Sequence, residues 1–270
     1  MEDMENPEND KQKITVVTGI VVLIVIALAS AVIVSNNFFG LFEDNKISVL
    51  IISDSDLTVS PNITEAFHIN SALVNYRIRS ANDLSISPAD KIKDYDMIMM
   101  TGLNYVPRNL AEAISANVKG GGKLIVIKDA GIREGVVLPS GQIEGYAPDV
   151  LGWESLFGDI MPVNCEKTSE GVPGCIDKLY VAGKLYRADE EHDLMQGFAE
   201  IPQEPDMFKD FEVLNVLVTG KELGYIRGNL DQKPYSGIAE KNSGLGKVLY
   251  FNYDLGTTPG LLMQTINYLE

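Results

Sequence analysis

Between Lys13 and Glu43 the chain carries no charged residue, and from Ile14 to Val34 nearly every position is apolar or small. A bilayer core of ~30 Å needs about 20 helical residues at ~1.5 Å each. A helix buried in a soluble core is normally shorter and keeps a polar face. Residues 14–35 are therefore expected to form one transmembrane helix. They divide the chain into a polar tail (1–13), a connector (36–46) whose aromatics suit a membrane interface, and a domain over 47–270. Ala27-Leu28-Ala29 offers a signal-peptide cleavage site. However, apolar sequence continues through Val34 and the leading MEDMENPEND is acidic, so the run reads as a retained anchor.

Lys11 and Lys13 precede the span, and no cation follows it until Lys46. The positive-inside bias then predicts a single-pass cell-membrane protein with a cytoplasmic N-terminus and an extracytoplasmic C-terminal domain. Two features agree. Cys165 and Cys175 are the only cysteines, ten residues apart across a loop holding Pro173 and Gly174. Such a pair suits a disulfide in an oxidising compartment, the alternative being two free thiols. Asn62-Ile63-Thr64 is a glycosylation sequon, so Asn62 is a candidate glycan acceptor. The net charge of −16 excludes a nucleic-acid partner, which would need a basic face, and disfavours docking on anionic lipid.

Beyond the connector, strand and helix patterns alternate. ISVLIIS (47–53), YDMIMMT (95–101), KLIVIK (123–128) and GKVLYFNY (246–253) read as strands buried on both faces. NYRIRS (75–80) reads as a more exposed strand, and further strands are expected at 212–219 and 223–227. Helices are expected over 63–73, from Pro107 to Val118, over 149–157 and from Pro259 to Leu269. Gly120-Gly121-Gly122 reads as a helix stop, because no GK[ST] follows it. Residues 132–190 look like an irregular insertion with a hairpin near 178–187, KLYVAGKLYR. Repeated strand–helix–strand units predict an α/β fold, a flavodoxin-like doubly wound parallel sheet in three layers.

Three segments in this order carry a family resemblance. The first is the strand at 95–101 ending in Thr101-Gly102, with the helix, the glycine triplet and the strand 123–128 that follow. The second is His192-Asp193-Leu194-Met195-Gln196-Gly197-Phe198, and the third is Gly246-Lys247-Val248-Leu249-Tyr250-Phe251 with Asp254 and a terminal helix. Residues 47–131 and 189–270 thus resemble the class I glutamine amidotransferase-like superfamily. They are most similar to its non-glutaminase branch, the trehalose-utilisation-type domains and the gliding-type ABC-transporter auxiliary domains. The second segment has Asp193 where that branch usually has proline. The resemblance implies the fold but not glutaminase chemistry. A glutaminase needs a Cys thiolate on the strained turn after the central strand, activated by His. That turn here is Lys128-Asp129-Ala130-Gly131, with Asp129 near the nucleophile position and neither cysteine close in sequence. His68 and His192 are read as structural.

Ligands of doubly wound sheets bind beyond the carboxyl ends of the strands. Asp54, Asp56, Thr101, Asn104, Lys128, Asp129, Arg133 and Asp254 should gather there. Such a set would hold sugar hydroxyls or a divalent cation; alternatively, the acidic residues merely cap turns. VLIISDSDLT (49–58) also looks like the first motif of haloacid-dehalogenase-type phosphatases. In that scheme Asp54 is the nucleophile, Asp56 the general acid/base and Asp129 a magnesium ligand, with Thr101 and either Lys128 or Asp129 supplying later motifs. The acidic doublet that normally closes the set is missing. Trp153 and the aromatics of 180–186 could stack on sugars, though core packing is the commoner role. The expectation is a non-catalytic accessory subunit of a membrane or cell-envelope complex, binding a protein or glycan and needing no cofactor. The alternatives are a metal-dependent, phosphatase-like hydrolase at Asp54/Asp56/Asp129 and a structural subunit of a surface layer or filament. An acidic, membrane-anchored chain of this kind would suit an archaeal surface.

Overall fold

The computed structural model describes residues 46–140, 143–145, 152–165, 175, 177–230 and 233–270. The tail, the apolar run 14–35 and all of the connector but Lys46 lie outside the described residues. Among the described residues no helix is long and apolar enough to cross a membrane. Lys46–Glu270 forms one compact unit.

Its centre is a mixed sheet of ten strands: β1 (Ile47–Ser53), β2 (Val74–Ser80), β3 (Met97–Met100), β4 (Lys123–Ile127), β5 (Lys178–Arg187), β6 (Glu200–Ile201), β7 (Lys209–Leu214), β8 (Lys221–Gly228), β9 (Pro234–Ser243) and β10 (Gly246–Phe251). They lie in the order β6-β5-β8-β9-β10-β4-β3-β1-β2, with β7 paired to the first half of β5. The five strands from β10 to β2 are parallel. The rest are antiparallel, so the expected all-parallel sheet holds only for this half. The cause is local: Gly244 (φ +61) turns β9 directly back into β10, and a tight turn can join only antiparallel neighbours.

The four apolar runs become central strands because both faces of the sheet are covered. Val49 and Ile51 of β1 pack on one side with Ile63 and Phe67 of helix α1 (Pro61–Ile69) and Leu262 and Ile266 of α3 (Pro259–Leu269). Leu50 and Ile52 pack on the other with Leu110 and Ile114 of α2 (Arg108–Lys119) and with Trp153 and Phe157. The period-2 alternation of the strand thus feeds two separate cores. Trp153 is fully buried, edge-on to Tyr250, and its indole N–H donates to the Ala130 carbonyl at 2.9 Å, so it is no sugar platform.

Several expected elements differ in extent. The first helix begins two residues early, with Pro61 in its first turn, and stops at Ile69, where Asn70 caps it. Asn62 is exposed in that first turn. Residues 178–187 form a single ten-residue strand, not a hairpin. Gly183, which suggested a turn, instead lets another strand approach, since a Cβ there would lie 2.0 Å from the Arg227 carbonyl oxygen. The stretch 212–219 splits into β7 and a separate strand, Val216–Val218, paired with Val163–Cys165. Strand β9, with Pro234 and Gly237 in it, shows no clear alternation and was not anticipated. Residues 132–190 are less irregular than expected, because Arg133–Val137 and Ile143–Gly145 join Tyr105–Pro107 in a small sheet. Cys165 and Cys175 are joined, with Cα atoms 5.2 Å apart.

Candidate functional site

The site is built on the turn that follows β4. Lys128 N–H donates to the Phe251 carbonyl at 2.7 Å and Gly131 N–H to the Leu103 carbonyl at 3.0 Å, while Trp153 holds Ala130 from behind. Pinned on three sides, the backbone takes a left-handed conformation at Lys128 (φ +55), which costs a non-glycine residue about 1–2 kcal/mol. The strained residue of the turn is thus Lys128 rather than Asp129. The turn after β4, Lys128–Gly131, thus forms an elbow whose left-handed residue stands one position before Asp129.

Beside this turn, beyond the carboxyl ends of β1, β3 and β4, lies a cleft of about 400 Å³. Thr58, Ser60, Thr101, Asn104, Lys128, Asp129, Lys178 and Asp254 supply its polar lining, and Leu57 lies at its edge with a nearly fully exposed side chain. The volume falls in the range of small-molecule sites, about 300–1,000 Å³. Gly102 (φ +55) shapes the floor: a Cβ there would stand 2.2 Å from the Thr58 carbonyl oxygen. Ser53, buried at the end of β1, shares a hydrogen bond of 2.6 Å with the Thr58 hydroxyl and fixes the same turn. Asp254 closes the cleft by accepting from the Ser60 hydroxyl at 2.8 Å and the Gly256 N–H at 2.9 Å.

The β5/β7 ribbon brings in residues that sequence reasoning did not place at the site. Glu212 of β7 pairs with the Lys128 ammonium and, at 3.3 Å, with that of Lys178, and it accepts from the Tyr180 hydroxyl at 3.1 Å. Lys178 also meets Asp129 at 3.4 Å. Burial works against the charge on Glu212, but the hydrogen bond from Lys128 and the charges of both lysines outweigh it and hold the carboxyl below its ordinary range. Burial likewise opposes the charge on Lys178, and Asp129 and Glu212 overcome it and push the ammonium up. Asn252 seats the ribbon. Its fully buried amide accepts from Leu214 N–H (2.9 Å) and Tyr250 hydroxyl (3.0 Å) and donates to the Leu214 (2.9 Å) and Ser236 (2.8 Å) carbonyls. The only sequence signal for any of this was the polar-apolar alternation of 178–187, which places Lys178 and Tyr180 on one face.

The predicted site residues therefore divide. Thr101, Asn104, Lys128, Asp129 and Asp254 share the cleft. Asp54 turns away, accepting from Asn104 N–H at 3.1 Å and side-chain amide at 2.5 Å, and lines a second cleft with Ser80, Asn82, Tyr105 and Glu144. Asp56 is exposed in the turn after β1, and Arg133 lies on the small sheet beside Tyr105; neither lines either cleft. Asp54, Asp56 and Asp129 do not converge: among the described residues no group of three or more His, Cys, Asp or Glu side chains is arranged to hold a metal ion.

The two histidines stand elsewhere. His68 is exposed near the end of α1. His192 caps the turn Asp193–Met195, its Nδ1 accepting from Leu194 N–H at 3.2 Å, and its Nε2 meets the Tyr268 hydroxyl at 3.2 Å. Tyr268 in turn donates to Glu240 at 2.6 Å, beside Lys247 near the start of β10. Burial, and then the carboxylate of Glu240, push the Tyr268 phenol well above its ordinary range.

No protein-family model matches the chain, and no curated protein matches it in sequence. Solved structures do match. The cytoplasmic protein STM1381 of Salmonella typhimurium LT2 superposes with a TM-score of 0.56 at 13% identity, over 83% of this chain and 99% of that one. The likeness is one of fold. A GH42 β-galactosidase of G. stearothermophilus, solved as its E323A catalytic mutant, matches at TM-score 0.50 and 12% identity, over 81% of this chain but only 30% of the enzyme. A ThuA-like protein of Bacteroides uniformis is also among the structural neighbours, at TM-score 0.49 and 11% identity over 82% of this chain and 90% of that one; nothing further rests on that superposition.

Proposed function

We propose that the unit Lys46–Glu270 is a non-catalytic binding domain that residues 14–35 hold at the cell membrane on its outer face, serving as an accessory subunit of a membrane or envelope complex. The observation that carries this reading is the occupant of the elbow. The strained turn presents Lys128, its charge already satisfied by Glu212, where the chemistry of the resembled superfamily requires a thiolate. Both cysteines are spent in a disulfide elsewhere. What remains in the cleft is a set of hydroxyl, amide and carboxylate groups suited to holding a ligand by hydrogen bonds. The parallel strands keep the order β2-β1-β3-β4-β10, that of flavodoxin-like doubly wound sheets, in which ligands sit at this edge. The anchor rests on the length and apolarity of 14–35.

Two measurements on the full chain test the proposal. Turnover of generic phosphate monoesters and carboxyl esters should not exceed that of an Asp54→Asn/Asp56→Asn/Asp129→Asn triple variant. Protease added to intact cells should cleave the 47–270 region while leaving the N-terminal tail protected. Turnover that depends on the three carboxylates, or a protected C-terminal domain, would overturn it.

A further inference from the structure

We infer that the ligand of this cleft is a neutral saccharide and that Tyr180 is its stacking platform; the inference rests on the binding reading above and deepens it. Tyr180 stands on the same face of β5 as the cleft-lining Lys178, two residues away, and its side chain is 77% exposed. A free tyrosine at a strand surface normally samples several rotamers, but here the hydroxyl is tied to Glu212, whose other oxygen meets Lys128 and Lys178. Its hydroxyl is thus tied, through Glu212, to two lysines that line the cleft. A second large apolar side chain, Leu57, lies exposed at the cleft as well.

The chemistry of the lining selects among ligand classes. An anion entering the cleft would meet Asp129 and Asp254, and the two ammonium groups that could receive it are taken up by Glu212 and Asp129. A bare cation would find, among the described residues, no group of three or more His, Cys, Asp or Glu side chains arranged to hold it. A neutral polyhydroxyl ligand meets neither penalty. Its hydroxyls donate to Asp129 and Asp254 and accept from Lys178 and the Thr101 hydroxyl, while the C–H face of its ring lies against an aromatic plane. Pyranoses combine these two surfaces in one molecule.

The test is calorimetric titration of the detergent-solubilised full chain with neutral di- and trisaccharides of glucose, galactose, mannose and N-acetylglucosamine, beside a sialylated trisaccharide and an acidic peptide. The inference expects at least one neutral saccharide to bind. Tyr180→Ala, with unchanged melting temperature, should weaken that binding roughly tenfold, the worth of one aromatic contact. Tyr180→Phe and Tyr180→Trp keep an aromatic plane and should retain most of it, which a merely structural role of the hydroxyl bond would not predict. Saccharide binding that is indifferent to Tyr180→Ala overturns the inference. So does binding of only the sialylated or peptide probe, or of no saccharide at all. None of these outcomes bears on the turnover and protease tests, by which the parent reading stands or falls separately.

Discussion

Lys128 and Glu212, 84 positions apart in sequence, form an ion pair that joins the strained turn after β4 to the β5/β7 ribbon. Both side chains are about one-fifth exposed, so the pair sits at the boundary between core and cleft. It gives the turn a reason to hold a lysine in a conformation that glycine would adopt at lower cost.

That balance predicts an order among variants. Lys128→Ala keeps the positive φ and leaves Glu212 to Lys178 alone, whereas Lys128→Gly loses the same pair but relieves the backbone. The glycine variant should be the more stable of the two by about 1 kcal/mol. For a domain of this size that is ~2–4 °C in Tm by calorimetry. Equal melting temperatures would mean that the backbone strain is not real.

The depressed carboxyl of Glu212 predicts a pH dependence. A group whose folded pKa lies below its unfolded value, here 4.5, contributes stability that is present above that value. The contribution is lost as pH falls through the folded pKa, because the unfolded chain then binds the proton first. Wild-type stability should therefore drop below about pH 4.5, and Glu212→Gln, less stable at neutral pH, should show a shallower acid limb in urea titrations at stepped pH. Parallel acid limbs would refute the assignment.

Asn252 makes four hydrogen bonds while fully buried, and it seats the ribbon that carries Glu212. Asn252→Leu strands the N–H and C=O of Leu214 and the Ser236 carbonyl in the core. It should cost about 2–4 kcal/mol by chemical denaturation, more than a typical single hydrogen bond, because unsatisfied buried groups carry their full desolvation penalty. A loss under 1 kcal/mol would show that the ribbon is held some other way.

Closing the loop between Cys165 and Cys175 constrains the unfolded chain. Cys165→Ser/Cys175→Ser should lower unfolding free energy by about 2–4 kcal/mol, and reductant should do the same to the wild type but not to the variant. A reductant effect on the variant would point to a different cause.

The parallel half of the fold was legible because four of its five strands are buried on both faces and so read as unbroken apolar runs: Ile47–Ser53 was placed to the residue. The antiparallel half was not. In β5 and β9 the glycines that make room for a neighbour, Gly183 for the Arg227 backbone and Gly237 for the Leu185 side chain, look in sequence like turn residues. The same fault hid part of the site. That Thr101, Asn104, Asp129 and Asp254 lie along one cleft was readable from strand ends alone, since topology brings strand ends together. Lys178, Tyr180 and Glu212 come there only through strand pairing across more than thirty positions, which no local pattern encodes. Asp54 was misplaced for a simpler reason: the turn after β1 directs it toward Asn104 and the small sheet rather than into the main cleft.

The most direct test of a binding rather than a catalytic site is a thermal-shift titration of the full chain with Mg²⁺, Mn²⁺ and Ca²⁺, run beside Asp129→Asn. A cation bound only by the native state at 100 times its Kd would add ~2.7 kcal/mol, roughly 5–10 °C here. The account predicts no shift that depends on Asp129, because Asp54, Asp56 and Asp129 do not meet. Cation stabilisation that disappears in Asp129→Asn would contradict it and establish a metal-dependent site.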